Sequence, residues 1–343
     1  MAVTTSSTTR IPTRTAKRTR GPALRDDRPV LVLSELDDAT ADSVIMELLA
    51  RDVPVVRLDP GVDFPSDTTF AARLDEAGSW AGDLATGTRR LDLTSVRAVY
   101  RRRPTPHAPS PILRPHEGEF AAREARQGFS GILANLPNCL YVNHPDANRA
   151  AAMKARQLTV AARLGFRVPA TLITNDLAQA RAFALKHGHV IYKPLTHVRH
   201  MTPEGPLTIW TQPVHADELD DTIAGTAHLF QCLVDKVADL RVTVVGEQVF
   251  CIRIDSDPRQ LDWRYDYDRL TYTWCETPPG LAHPMVRYLE HFGLAFGCFD
   301  FGLTAEGEQV FFECNPNGQW SWLEERTGAP IAAAFADLLK GGA

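Results

Sequence analysis

Short apolar runs alternate with amphipathic segments over the first part of the chain. The apolar run at residues 29–33 precedes a segment whose apolar residues recur at helical spacing, and a second run covers residues 53–58. Asp37 and Asp38 are the two candidates for the N-cap of the intervening helix. This strand–helix–strand order predicts a mainly parallel sheet with helices on its faces.

The pattern predicts further helices and strands in the middle of the chain. Residues 149–165 form one continuous helix in this interpretation, and residues 171–193 form a strand, a helix and a second strand. A helix over residues 117–133 is also predicted, with one apolar face. That face comprises Phe120, Ala121, Ala125, Phe129 and Leu133.

Two strand pairs follow in the last third of the chain. The second pair has Asp300 in its first strand, and Glu313 and Asn315 at the end of its second. Antiparallel pairing brings these three side chains together. Two carboxylates and an amide oxygen suit Mg²⁺, whereas an acidic hairpin without a metal is the alternative. Acids within apolar strands favour the metal site, because burying them unpaired is costly.

Composition and charge narrow the classes of function. The chain has 343 residues and a formal net charge of -5, so no basic field attracts nucleic acid or an anionic membrane. It has no apolar run of the roughly 20 residues that span a bilayer, and its six cysteines form no CxxC motif. We therefore expect a cytoplasmic protein with free thiols. Residues 1–28 are basic and rich in Thr and Ser, which predicts a disordered tail.

The run NPNGQWSWLE at residues 315–324, together with Asp300 and Glu313, resembles the metal-binding end of the ATP-grasp ligases. Within that superfamily it resembles the ribosomal peptide maturases that make graspetides of the microviridin type. The resemblance extends, less specifically, back to about residue 31. It implies an α/β ATP-grasp fold, in which two α+β subdomains clasp ATP, preceded by an N-terminal α/β domain. The implied domains are residues 29–140 and 141–340, with a lid-type subdomain at about residues 168–230.

The resemblance also implies the residues that bind ATP and Mg²⁺. Lys154 and Lys193 would approach the phosphates, although a lone helical lysine such as Lys154 is usually solvent-exposed. The backbone of Leu233 and Val234 would pair with adenine. The remaining implied contacts are Gln231 at the adenine amino group, Asp239 at the ribose, and Asp300, Glu313 and Asn315 on the metal.

Arginines would handle the substrate carboxylate and the transferred phosphoryl group. Arg241 and Arg253, facing the same way on adjacent strands, would hold the γ-phosphate and a carboxylate, and Arg264 would steady an acyl phosphate. A structural salt bridge between Asp239 and Arg241 is the alternative. Arg101, Arg102 and Arg103 would contact the peptide, unless they form a solvated loop. The lid segment has His197, Arg199 and His200 where relatives often have glycines.

The implied activity is an ADP-forming, ATP-dependent ligation through an acyl phosphate. An Asp or Glu side chain of a ribosomal precursor peptide, docked by its leader, is phosphorylated and then crosslinked as an ester or amide. Two alternatives remain: a ligase that adds a free amino acid to a peptide or protein, and a protein that binds ATP and peptide without chemistry. Homodimers are common in the resembling family, but the sequence has no interface signal of its own.

Overall fold

The structure is a computed structural model that describes residues 27–109, 112–196, 200–202, 205–207, 209–257, 261–263 and 269–342. All but the last two residues of the predicted tail at residues 1–28 therefore lie outside the described part. Among the described residues, no helix is both long enough and apolar enough to cross a membrane.

The first unit is built on the predicted parallel sheet, which is confirmed. Its elements are β1 (Val30–Leu33), α1 (Ala39–Ala50), β2 (Val55–Leu58), α2 (Pro60–Asp63), β3 (Thr68–Leu74), β4 (Trp80–Thr86), β5 (Arg90–Asp92), β6 (Ala98–Arg101), α3 (Pro115–Leu133) and β7 (Leu140–Val142). The sheet has the order β2-β1-β6-β7, with every pair parallel. β3 to β5 form a separate antiparallel sheet. Because β7 belongs to the parallel sheet, the first unit extends beyond residue 140.

The middle of the chain begins with α4 (Pro145–Ala151) and α5 (Lys154–Arg163), which pack on the sheet of the third unit. The second unit follows as a small antiparallel sheet with one helix packed on it. Its elements are β8 (Thr171–Thr174), α6 (Leu177–His187), β9 (Val190–Lys193), β10 (His200–Thr202), β11 (Gly205–Leu207), β12 (Gln212–Val214) and β13 (His228–Cys232). The sheet has the order β12-β9-β13-β8, and β10 pairs with β11. The prediction of a single helix over residues 149–165 is wrong, because the helix is interrupted at Ala152 and Met153. Lys154 is therefore the first residue of α5.

The third unit contains the largest sheet. Its elements are β14 (Ala238–Val245), β15 (Gln248–Asp255), β16 (Thr271–Cys275), α7 (Ala282–Phe292), β17 (Phe296–Leu303), β18 (Gln309–Asn315), α8 (Ser321–Thr327) and α9 (Ile331–Gly341). The antiparallel order is β16-β15-β14-β17-β18. One face packs on α1, α8, α9 and the first sheet. The other face packs on α4, α5 and α7.

The apolar face predicted for α3 is only partly correct. Phe129 and Leu133 are buried, but Phe120 is 59% exposed. The buried positions in the first half of the helix are instead Gly118 and Ala122. Small residues at these two positions let the helix backbone approach its neighbours, so the helix is rotated away from the stripe that the larger side chain suggested.

Candidate functional site

The three predicted metal ligands lie together on the last two strands. Asp300 of β17 is directly opposite Glu313 of β18, and Cys298 is opposite Asn315. The Asn315 Nδ2 atom lies 3.2 Å from Asp300 Oδ2 and 3.3 Å from Glu313 Oε1. Two carboxylates and one amide therefore converge at one end of the hairpin.

A β-bulge orients this group of side chains. The register shifts between Asp300 and Phe301, because Phe301 pairs with Phe311 and leaves Phe312 as an extra residue in β18. Phe311 can then face the core behind the sheet while Glu313 faces the other side. The ring of Phe312 lies over Gly302, where an added Cβ would be 2.6 Å from the ring. Gly302 thus makes room for Phe312 on the side of the carboxylates.

Each carboxylate also has a buried cationic partner. Lys154 forms an ion pair with Glu313, and the Arg241 Nη1 atom lies 2.6 Å from Asp300 Oδ2. Burial lowers the pKa of the Arg241 guanidinium, but the charge and hydrogen bond of Asp300, together with the smaller effects of Cys298 and Glu313, outweigh burial and raise this pKa above its ordinary value. The alternative of a structural salt bridge between Asp239 and Arg241 is therefore wrong, because Arg241 pairs with Asp300.

The donor set fits a cation that takes part of its coordination from elsewhere. Among the described residues, no group of three or more His, Cys, Asp and Glu could hold a metal ion. Asp300, Glu313 and Asn315 supply two carboxylates and an amide that presents its oxygen after a half-turn of χ2. Mg²⁺ usually completes such a set with water and phosphate oxygens.

α5 covers the free edge of β18 and thereby places Lys154. The Gln157 side chain donates to the Cys314 carbonyl at 2.8 Å and accepts from the Cys314 N–H at 3.0 Å. The Arg167 carbonyl accepts from the Phe311 N–H at 2.8 Å. These bonds satisfy an edge strand that would otherwise expose its backbone, and they fix the start of α5 beside Glu313.

One cleft between the second and third units contains most of the predicted nucleotide residues. Lys193, Leu233, Val234, Asp239, Asp300 and Glu313 all line it. Gln231 is buried beside the cleft, on the sheet face of its partner Ile191, and donates to Thr171 Oγ1 at 2.9 Å. The Leu233 N–H already donates to the His189 carbonyl at 2.9 Å. A base could therefore pair with the carbonyl of Leu233 but not with its N–H.

Lys236 and Phe312 are among the residues of this cleft that sequence reasoning missed. The Lys236 Nζ atom lies 2.6 and 2.5 Å from the two oxygens of Asp239. Burial raises the pKa of Asp239 to about 6, and Lys236 limits the rise. The Phe312 ring centroid lies 5.1 Å from the Lys193 ammonium and 5.9 Å from that of Lys236, so one ring orients both cations. The i, i+3 spacing of Lys236 and Asp239 in the sequence could have indicated that these two side chains form an ion pair.

The expectation that Arg241 and Arg253 face the same side of the sheet is wrong. Arg241 is opposite Ile252, whereas Arg253 is opposite Leu240. Side chains directly opposite one another share a face, and Ile252 and Leu240 belong to cores on different faces. Arg253 therefore faces away from Asp300, and its Nη2 atom lies 2.8 Å from Asp255. Arg264 lies outside the described residues, as do His197 and Arg199.

The three adjacent arginines have different environments. The expectation that Arg102 contacts a peptide is wrong, because its side chain is 1% exposed and lies 3.5 Å from the Asp38 carboxylate. Arg103 is exposed. Arg101 is half-buried, and burial, together with the charge of Arg149, lowers its pKa. Alternation at the end of β6 places Arg101 and Arg102 on opposite faces.

The first unit of the chain matches a known family model, and the whole fold is similar to solved structures. Residues 29–149 match the family model of the MvdD pre-ATP grasp domain. None of the curated proteins matches the sequence. A RiPP-associated ATP-grasp ligase from Chryseobacterium gregarium, solved with ADP, a leader and a core peptide, is 26% identical with a TM-score of 0.83. The match covers 92% of this chain and 97% of that one.

Two macrocyclases from Microcystis aeruginosa MRC are similar as well. MdnB is 27% identical over 92% of this chain and 100% of its own, with a TM-score of 0.74. MdnC, bound with the precursor peptide MdnA, is 24% identical over 91% and 99%, with a TM-score of 0.79. The chain thus has the ATP-grasp fold, its residues 29–149 match the MvdD pre-ATP grasp domain, and it resembles the RiPP-associated ATP-grasp ligases.

Proposed function

We propose that this protein is an ATP-dependent carboxylate ligase that crosslinks side chains of a ribosomal precursor peptide. One observation carries the proposal: Asp300, Glu313 and Asn315 converge beside the cleft that also contains Lys193 and Asp239. The similar ligases and macrocyclases solved with ADP or with precursor peptides support the same activity.

The cleft provides a site for each part of ATP. The Leu233 carbonyl and the Val234 N–H would pair with adenine, and Asp239 would accept a ribose hydroxyl. Gln231, buried beside them, would steady the base edge. Lys193 and Lys154 would meet the phosphates, and Asp300, Glu313 and Asn315 would hold Mg²⁺. When bound, that ion neutralises charge on the phosphates as the γ-phosphoryl group moves.

Two displacements would complete the reaction. An oxygen of a peptide Asp or Glu carboxylate attacks the γ-phosphorus, and ADP leaves. A Ser or Thr hydroxyl, or a Lys amine, of the same peptide then attacks the acyl carbon, loses its proton and expels phosphate. Arg241 holds Asp300 in place through both steps, and the unit at about residues 168–230 would exclude water from the acyl phosphate.

The peptide would bind partly through arginine. Arg101 and Arg103 remain available for peptide carboxylates, since Arg101 is half-buried beside a second cation and Arg103 is exposed. Planar guanidinium groups grip carboxylates in a bidentate manner. Arg253 and Arg264 keep no assigned step, because Arg253 faces away from the cleft and Arg264 lies outside the described residues.

Mass spectrometry tests the proposal. The protein is incubated with ATP, Mg²⁺ and the precursor peptide encoded beside its gene, and each crosslink should lower the peptide mass by about 18 Da, one water. A gain of mass would instead indicate ligation of a free amino acid. Unchanged peptide without ADP release would leave a protein that only binds. Asp300→Asn and Glu313→Gln serve as inactive controls.

A further inference from the structure

The loop that carries Asn315 is held by the first unit of the protein. Two side chains at the carboxyl ends of adjacent parallel strands make the contacts. Arg102 follows β6, and Asn143 follows β7. Carboxyl ends of neighbouring parallel strands meet at one edge of a sheet, so both side chains reach the same loop, residues 315–319.

Arg102 makes the denser set of contacts. Its Nη2 atom donates to Gln319 Oε1 at 2.6 Å, and its Nη1 atom donates to the Asn317 carbonyl at 3.2 Å. Asn317 Nδ2 donates in return to the Arg102 carbonyl at 2.5 Å. The Arg102 Nε atom faces Asp38 Oδ2 at 3.5 Å, and both atoms are buried. Asp38 is the N-cap residue of α1. The buried guanidinium therefore lies between the start of α1 and the loop.

Asn143 holds the other end of the loop. Its Nδ2 atom donates to the Pro316 carbonyl at 2.7 Å and to the Phe296 carbonyl at 2.9 Å. Its Oδ1 atom accepts from the N–H groups of Ala295 and Phe296 at 2.8 and 3.1 Å. One buried amide therefore ties residue 316 to the start of β17, the strand of Asp300.

The far side of the loop is closed by Arg241. Its Nη2 atom donates to the Gln319 carbonyl at 3.2 Å, and its Nη1 atom holds Asp300. A Cβ added at Gly318 would lie 2.5 Å from Cys298 Cβ and 2.9 Å from Arg241 Nη2. Gly318 therefore has no room for a side chain, and Gln319 is linked through Arg241 to Asp300.

We propose that Arg102 is a positioning residue for the metal-binding side chains. It acts through Asn317 and Gln319 on Asn315, and through the Gln319 carbonyl and Arg241 on Asp300. The proposal rests on the proposed function, since it assigns the first unit a part in building that site. A contact that only held the two units together would need no buried charge, because apolar side chains of similar volume would stabilise it as well. A planar fork instead sets the direction of its acceptors.

Isothermal titration of the full chain with the non-hydrolysable nucleotide AMPPNP tests this role. The affinity is measured with Mg²⁺ and with EDTA, and their ratio is compared among variants. We expect Arg102→Lys, which keeps the charge beside Asp38 but loses the fork, to lower the Mg²⁺-dependent gain about tenfold. The affinity in EDTA should stay within about twofold. Arg73→Lys, at an exposed position of β3 in the same unit, should change neither value.

Asn317→Ala provides a second, milder variant if Arg102→Lys does not fold. It keeps the backbone carbonyl but removes the side-chain Oδ1 acceptor, 3.3 Å from Arg102 Nη1, and the return bond from Nδ2. It should lower the same ratio in the same direction. Retention of the full ratio in both variants, or an equal fall of both affinities, would overturn the positioning role. Parent protein that binds AMPPNP no better with Mg²⁺ would instead contradict the proposed function itself.

Discussion

Lys154 and Glu313 form an ion pair in which the two side chains are only 10% and 7% exposed. The lysine is the first residue of α5, where the positive end of the helix dipole disfavours a cation. It is stable there because Glu313 lies against it and Gln157, one turn later, fixes the helix on β18. The pair therefore couples the orientation of α5 to a carboxylate that we propose as a metal ligand.

Lys154→Met should impair both folding and activity. It leaves Glu313 as a buried charge without its cation, which costs about 3 kcal/mol of unfolding free energy. ATP turnover with the precursor should fall about 100-fold. Lys186→Met, at an exposed position of α6, is the matched control and should leave denaturation and turnover unchanged. Equal behaviour of the two variants would show that the pair has no special role.

The two arginines of β14 and β15 should differ sharply. Arg241→Met removes the partner of Asp300 and is expected to cost about 3 kcal/mol in stability. Arg253→Met removes a half-exposed ion pair with Asp255 and should cost at most about 1 kcal/mol. Urea denaturation and ADP release measure both effects. An activity loss in Arg253→Met as large as that in Arg241→Met would contradict the assignment by sheet face.

Gly318→Ala should damage the site through a steric clash. The new Cβ meets Cys298 and Arg241 below 3.0 Å, so the loop must move, and we expect a loss of about 2 kcal/mol with reduced turnover. Gly131→Ala is the control, because nothing lies within 4 Å of its added Cβ in α3. That substitution should raise stability by about 0.5 kcal/mol, as alanine is the better helix former.

The raised pKa of Asp239 predicts a pH dependence of nucleotide binding. Asp239 titrates at about 6 instead of 3.8, so it gains a proton as the pH falls from 7.5 to 5. AMPPNP affinity should then weaken with a midpoint near pH 6, since a protonated acid is the poorer acceptor for a ribose hydroxyl. In Asp239→Asn this step should be missing from titrations over the same range.

Stability should respond in the opposite direction. A group whose pKa is raised on folding contributes stability that is fully present below its unfolded pKa and is lost as the pH rises through the folded one. The contribution of Asp239 is therefore present below about pH 4 and lost as the pH rises through 6. Chemical denaturation at pH 4 and pH 7, compared with Asp239→Asn, separates this effect from other groups.

The sequence predicted the secondary-structure elements and the candidate residues better than it predicted the directions in which their side chains point. Apolar periodicity was sufficient for the parallel sheet, for β14 and β15, and for the last hairpin. The strands β1, β14 and β17 are almost wholly buried, and each therefore forms a long apolar run. It could not show that Arg102 is buried, since its partners Asn317 and Gln319 lie more than 200 residues away. Long-range polar contacts of this kind leave no periodic trace in a sequence.

Strand alternation alone also gave a wrong prediction for two arginines, because the pairing of their strands decides which face of the sheet each side chain is on. Arg241 and Arg253 stand in two similar apolar strands, and only the register of β14 with β15 separates them. The break at Ala152 and Met153 was likewise invisible, because neither residue is a helix breaker. It follows from the docking of α5 on β18 through Gln157.

The extra residue at Phe312 makes the bulge of β18 part of the cleft. Without it, Phe311 and Glu313 would be neighbours in a regular ladder and would still face opposite sides of the sheet. The deletion would instead remove the ring that lies against the ammonium groups of Lys193 and Lys236. A shortened β18 would therefore keep its carboxylates in place and lose the surface that orients both cations.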